Sequence, residues 1–263
     1  MLMLTHTWML WKFLGPSLSK NTQPDIFIHN VSPDMLPIHR DISSDMTHGI
    51  ARFRHPPAEH RKAAFVQFHL LVDDMAHYGR ICKRGKIGFD PHSGGYTYKK
   101  GRALIQPLMD FHKSIGQQIS YDHATYRSHI IIEMAFDQTI HDRETNREFD
   151  LPFFEALNYT VENKMDEFCR TSFWLYGINE GTIAAALKQA TDRSSRENTD
   201  SSDGLSGRIE LYMGKFGLEH NDDAAWSGLE NLLHLGMDMV SDYEDFLVMT
   251  LKTVRDAGFT SPL

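Results

Sequence analysis

The apolar positions of this chain recur with a helical period almost from end to end. In residues 56–80, Ala63, Ala64, Phe65, Phe68, Leu71, Val72 and Met75 share one broad face, which predicts a buried helix opening at Pro56-Pro57. The same period runs from 101 to about 142, as one helix or as two with a break near Gly116, and returns in 151–170, 179–191, 205–218 and 223–257. Strand signals are few. SGGYTYKK at 93–100 reads as a small hairpin, flanked by Gly and Pro rather than by other strands. TDRSSRENTDSSDGLS, 191–206, is polar and reads as a mobile loop. The fold class is therefore all-α, a multi-helical bundle, and the polar residues that interrupt the pattern point to a metal site between its core helices. Its organisation reads as a helical metal-binding body over 1–190, the polar loop 191–206, and a helical extension over 207–263 packed on the same domain. Trp226, Leu229, Leu232, Leu235, Met239 and Phe246 in that extension suit either core packing or an oligomer interface.

Polar residues interrupt this pattern in a regular way. FHLLVDDMAH, 68–77, places His69, Asp73 and His77 at four-residue steps, and YRSHIIIEMAFDQTIHD places His129, Glu133, Asp137 and His141 likewise. Four residues make about one helical turn, so each set forms a stripe on one face. The intervening LLV and III would leave such stripes buried, where ionisable groups need partners. Coordination of a cation is one solution and mutual salt bridging is the other. Asp74 points about 100° away from Asp73 and reads as a supporting or salt-bridging residue. Asp137 and His141 extend the second stripe, either orienting ligands or marking a solvated helix end. His29, His39 and His55 read as surface, and His112 and His123 as helix-face residues without a carboxylate at matching spacing.

Composition narrows the chemistry. The formal charge is -8, with 27 basic and 35 acidic residues, which argues against duplex nucleic acid as partner. Of 15 histidines, 13 fall between His6 and His141, which places the chemistry in the first half. Two cysteines, Cys82 and Cys169, provide no Cys-rich metal motif. There is no apolar run of the roughly 18 residues that a membrane-spanning helix needs. The opening MLMLTHTWMLWKFLG lacks the basic start and cleavage site of a signal peptide, so a cytoplasmic location is expected.

The ordered series His6, Asp34 (in VSPD), His48, His69, Asp73, His77, His129 and Glu133 resembles the zinc-dependent phospholipase C family, which is related to the zinc-dependent single-strand nucleases. The likeness covers roughly residues 1–140 and rests on Pro33-Asp34 in a loop, H-x3-D-x3-H on one helix and H-x3-E on another. It implies an all-helical metal-dependent phosphoesterase. Asp34, His48, His69 and Asp73 would hold one ion, Asp73 would bridge to a second also bound by His6, and His77, His129 and Glu133 would hold a third. Asp34 and Asp73 would be catalytic, with Asp34 orienting or deprotonating a metal-activated hydroxide. Two or three Zn2+ are implied, although iron and manganese suit the same donors. Secreted members use their amino-terminal residue, commonly Trp, as a ligand. Here Met1 opens the chain and Trp8 follows His6, so Met1 fills that role, or the second ion is weakly held or absent.

Two or three divalent ions bring about +4 to +6 against three carboxylates, which suits a phosphate ester, either a small molecule or a phospholipid headgroup. The basic loop 79–100 offers Arg80, Lys83, Arg84 and Lys86 for a phosphate and Tyr96 or Tyr98 for stacking. Two other readings compete. His141-Asp142 suggests an HD-type metal phosphohydrolase, and a non-catalytic, metal-stabilised helical protein would use the same residues for stability alone.

Overall fold

The computed structural model describes residues 2–15, 24–82, 85, 88–143, 151–197, 204–220 and 222–262. Those residues form an all-α fold with no strand among them. No described helix is long and apolar enough to cross a membrane.

Two buried helices carry the organisation. One is α4 (Ala63–Tyr78), buried continuously from Ala63 to Ala76. Its end is set by Gly79, whose positive φ of 68° closes a left-handed cap with its N–H on the Met75 carbonyl. The other is α7 (Tyr121–Arg143), buried on all sides from Ser128 to Ile140. Between them lie α1 (Met3–Leu14) and α5 (Tyr96–Gly101), each of which touches both. Outside α4 packs α2 (Asp25–Met35), backed by α8 (Leu151–Tyr159), and the one-turn α3 (Ser44–His48) follows α2. Against α7 lie α6 (Ile105–Ser114) and α12 (Asp223–Met239). The remaining helices are α9 (Met165–Tyr176), α10 (Glu180–Glu197), α11 (Leu205–Phe216) and α13 (Tyr243–Asp256). One apolar cluster runs from Trp8 to Phe259 and takes in residues of both halves of the chain.

Several sequence expectations change. The hairpin expected at 93–100 is instead an irregular stretch, 93–95, followed by the first five residues of α5. Its glycines serve a close approach: a Cβ on Gly95 would overlap the His77 carbonyl. Asp34 is not in a loop, because α2 continues through Pro33. Proline there leaves the His29 carbonyl without its helical N–H, and the Ser32 hydroxyl donates to it instead at 2.9 Å. The polar stretch from 191 is helical as far as Glu197, and Leu205 already begins α11; 198–203 lie outside the described residues. The break near Gly116 is real and separates α6 from α7. The 223–257 stretch is two helices, the first capped by Asp222, whose carboxylate accepts from the N–H groups of Ala224 and Ala225. The helix expected from Pro56 begins as a 3-10 turn, Ala58–His60, and becomes α-helical only at Ala63. The 151–170 stretch is divided by a π-helical turn, Thr160–Lys164, between α8 and α9.

Candidate metal centre

Helix α4 aims His69, Asp73 and His77 along one stripe, as their spacing requires. Around the upper part of that stripe, α1 brings His6, the end of α2 brings Asp34 and the end of α3 brings His48. Two sets of donor atoms come within 4.8 Å of one another here, His6/His69/Asp73 and Asp34/His48/His69. One turn further along α4, His77 meets His129 and Glu133 of α7 in a third set. All eight residues expected as ligands thus fall into three groups.

The first two groups share His69 and centre on Asp73. Its Oδ1 lies 3.2 Å from His6 Nε2, while its Oδ2 lies 3.4 Å from His48 Nε2 and 3.5 Å from His69 Nε2. Asp34 Oδ1 is 3.3 Å from the same His48 nitrogen. The Asp73 carboxylate is therefore divided between His6 on one side and His48 with His69 on the other. The His6 and His69 rings are stacked with centroids 3.5 Å apart. The third group is tighter: His77 Nε2 and Glu133 Oε1 are 2.6 Å apart, a charge-assisted hydrogen bond.

These groups are buried and not satisfied by protein hydrogen bonds alone. Both ring nitrogens of His6 and of His69, Nδ1 of His129 and Oδ2 of Asp34 have no hydrogen-bond partner among the described residues. At 3.2 Å, His6 Nε2 is near Asp73 but not aligned for a hydrogen bond. Leaving such atoms unpaired in the interior is costly. Two donors about 2.1 Å from one tetrahedral ion stand about 3.4 Å apart. The separations around Asp73 match that edge better than they match a hydrogen bond. By donor type, spacing and unmet valence, the residues fit divalent cations.

The electrostatics point the same way. Burial pushes His6 down to about 4, helped by His69, and pushes His129 down to about 3, so both rings are neutral donors at pH 7. Burial alone would raise the three carboxylates. His69 and His48 hold Asp34 below its ordinary value, and the amino-terminal charge, then His69 and His6, hold Asp73 well below it. The amino-terminal charge and then the His77 hydrogen bond do the same for Glu133. Burial opposes a charge on His48, but its bonds to Asp34 and Asp73 raise it to about 10. Three ionised carboxylates gather here against one protonated imidazole, His48, whose Nε2 proton a divalent cation would displace.

Neighbouring residues fix the donors. His48 Nδ1 donates to the Ser44 carbonyl at 2.9 Å, which leaves Nε2 facing the carboxylates. The Asn30 amide donates to the His6 carbonyl at 2.9 Å. Asp137 accepts from the backbone N–H of Thr5 at 3.1 Å and from the Thr5 hydroxyl, and so ties the start of α1 to α7. Asp137 is thus buried and anchoring, not part of a solvated helix end. His141 pairs with Asp142 at 3.1 Å, and neither belongs to the three groups. Tyr98 lies flat on His129, with centroids 4.5 Å apart, and Phe89 and Tyr126 stand exposed beside it.

Other expectations are corrected. His29 is buried, not on the surface, and burial beside Phe168 and Lys62 pushes it down to about 3. Tyr96 is committed to structure, donating to Asp242 at 2.6 Å and stacking on Phe246. His112 is buried in a network with Gln117, Tyr212 and Arg127. Both cysteines are free and buried. Met1, Lys83, Arg84 and Lys86 lie outside the described residues. Sequence reasoning missed Arg52, Asn30 and Tyr98's place on His129; only the apolar setting of Asp74, which demands a cationic partner, pointed toward Arg52.

An all-α chain with three His/carboxylate groups built on two central helices and completed by α1, α2 and α3 is the class that fold and site define. Compared with family models, curated proteins and solved structures, the chain matches none.

Proposed function

We propose that the protein is a divalent-metal-dependent phosphoesterase, akin to the zinc-dependent phospholipases C, acting on a small phosphate ester or a phospholipid headgroup. The observation that carries this reading is the Asp73 carboxylate, which faces three imidazoles at 3.2 to 3.5 Å while buried nitrogens around it lack partners. His6, Asp34, His48, His69 and Asp73 would hold one or two zinc ions, and His77, His129 and Glu133 a further one. Bound zinc supplies Lewis acidity and positive charge at a phosphoryl group.

The chain's own residues have distinct tasks. Among the five donors centred on Asp73, Asp34 is the most exposed, with a side chain 24% exposed, and its ionised carboxylate is placed to take a proton from an attacking water. Asp73 holds His6, His48 and His69 in mutual register. In the third group His77 is also 24% exposed. The exposed ring of Tyr126 beside His129, and that of Phe89 beside Tyr126, offer apolar contact to the organic part of an ester.

Hydrolysis of bis(p-nitrophenyl) phosphate by the zinc-loaded protein near pH 7 tests the reading. Turnover should vanish with a chelator and return with zinc. Absence of turnover of this and of simple phosphomonoesters, in protein shown to carry its ions, would count against catalysis and favour a metal used for stability.

A further inference from the structure

Arg52 is 2% exposed and is the largest fully buried side chain among the described residues. It sits outside any helix, yet four donor contacts are satisfied. Its Nε and one terminal nitrogen grip both oxygens of Asp74 at 3.1 and 2.8 Å. The other terminal nitrogen donates to the carbonyls of His48, at 2.7 Å, and Ile50, at 2.8 Å. Asp74, itself fully buried, also accepts the Cys82 N–H at 2.7 Å.

We propose that the Arg52–Asp74 pair is a positioning device for the Asp34/His48/His69 cation site, holding the main chain of His48 in register with Asp73. The inference rests on the metal reading above. His48 belongs to α3, a helix of five residues in which only Thr47 is buried, too short to be held by its own hydrogen bonds. The His48 ring is fixed to its own turn through Ser44, so its place depends on how that turn is moored. There are two moorings. The Thr47 hydroxyl donates to the Pro33 carbonyl at 2.8 Å, next to Asp34. Arg52 joins the His48 carbonyl to Asp74, next to Asp73. Each thus ties His48 to the residue adjoining one of its two carboxylate neighbours.

Stability alone is a weak reason for such a pair. A buried ion pair can often be replaced by apolar residues of similar volume without loss of stability. An apolar pair would fill the space but could not hold a carbonyl. Lysine, with one ammonium in place of a planar fork, could not serve Asp74 and two carbonyls together.

The test compares wild type, the double variant Arg52→Met/Asp74→Leu, and Arg52→Lys. Zinc binding to metal-stripped full-length protein is followed by calorimetric titration, with cobalt absorption as a second readout and thermal melting of the metal-free forms as a fold control. The double variant should fold but melt several degrees lower, because the His48 and Ile50 carbonyls and the Cys82 N–H lose these partners, and it should bind one ion roughly 10- to 100-fold more weakly. The His77/His129/Glu133 site should be unchanged. Arg52→Lys, which keeps the buried charge and covers the case where the double variant does not fold, should show the same selective loss. Wild-type affinity at every site in either folded variant would overturn the proposal. A wild-type protein that binds no cation would instead overturn the metal reading beneath it.

Discussion

Replacing Asp73 with asparagine is expected to reduce phosphodiester turnover by roughly 1,000-fold or more and to strip the ions held around it. The change is nearly isosteric, so the helix should remain folded. It removes the charge that both neighbouring groups share and exchanges one oxygen for an NH2 donor. Asp73 Oδ1 faces His6 and Oδ2 faces His48 and His69, so either orientation of the amide turns a donor towards an imidazole that should be donating a lone pair to a cation. The third group should keep its ion, because His77, His129 and Glu133 do not depend on Asp73 as a donor. Steady-state kinetics and metal analysis on the same preparation check this. Turnover within tenfold of wild type would remove Asp73 from the centre of the site.

The second large effect is on stability. Gly95→Ala is expected to cost about 3 kcal/mol of unfolding free energy, read from urea denaturation. The added methyl group would overlap the main-chain carbonyl of His77, and backbone in the last turn of a buried helix cannot yield as a side-chain tip can. Relief requires α5 to back away from α4. Retreat would break the bond from the Thr97 hydroxyl to the Ala76 carbonyl, 3.1 Å long, and that from the Ser93 hydroxyl to the His77 carbonyl. It would also carry Tyr98 off the His129 ring. Zinc affinity at the third group should fall together with stability. A loss below about 1 kcal/mol would mean that the approach of α5 to α4 is looser than described.

The parts of this structure that were legible in the sequence are those a single helix determines. His69, Asp73 and His77 share a stripe because helical geometry puts them there, and the same holds for His129 and Glu133. The aliphatic residues between them, LLV and III, marked those stripes as buried. What the sequence concealed depends on contacts between distant segments. Pro33 argues against helix locally, yet α2 is enclosed by α4 and α8 and runs through it, assisted by the Ser32 hydroxyl. The same enclosure buries His29, which nothing in its local pattern signals. Gly94-Gly95 resembles turn chemistry, but Gly95 is required by the proximity of another helix, which no local window contains. Arg52 lies in an irregular stretch, and its partner Asp74 is 22 residues away. The assembly of His6, Asp34 and His48 about α4 was expected from the resemblance alone, because α1, α2 and α3 meet there only in three dimensions.

The central claim is that the three buried His/carboxylate groups hold cations. The most direct test is metal analysis by plasma mass spectrometry of the full chain, purified without chelator, equilibrated with zinc and desalted. Two or three ions per chain are expected, falling by one or two in the Asp73→Asn variant. A wild-type content near zero would contradict the claim and leave the clustered residues as a network of buried ion pairs.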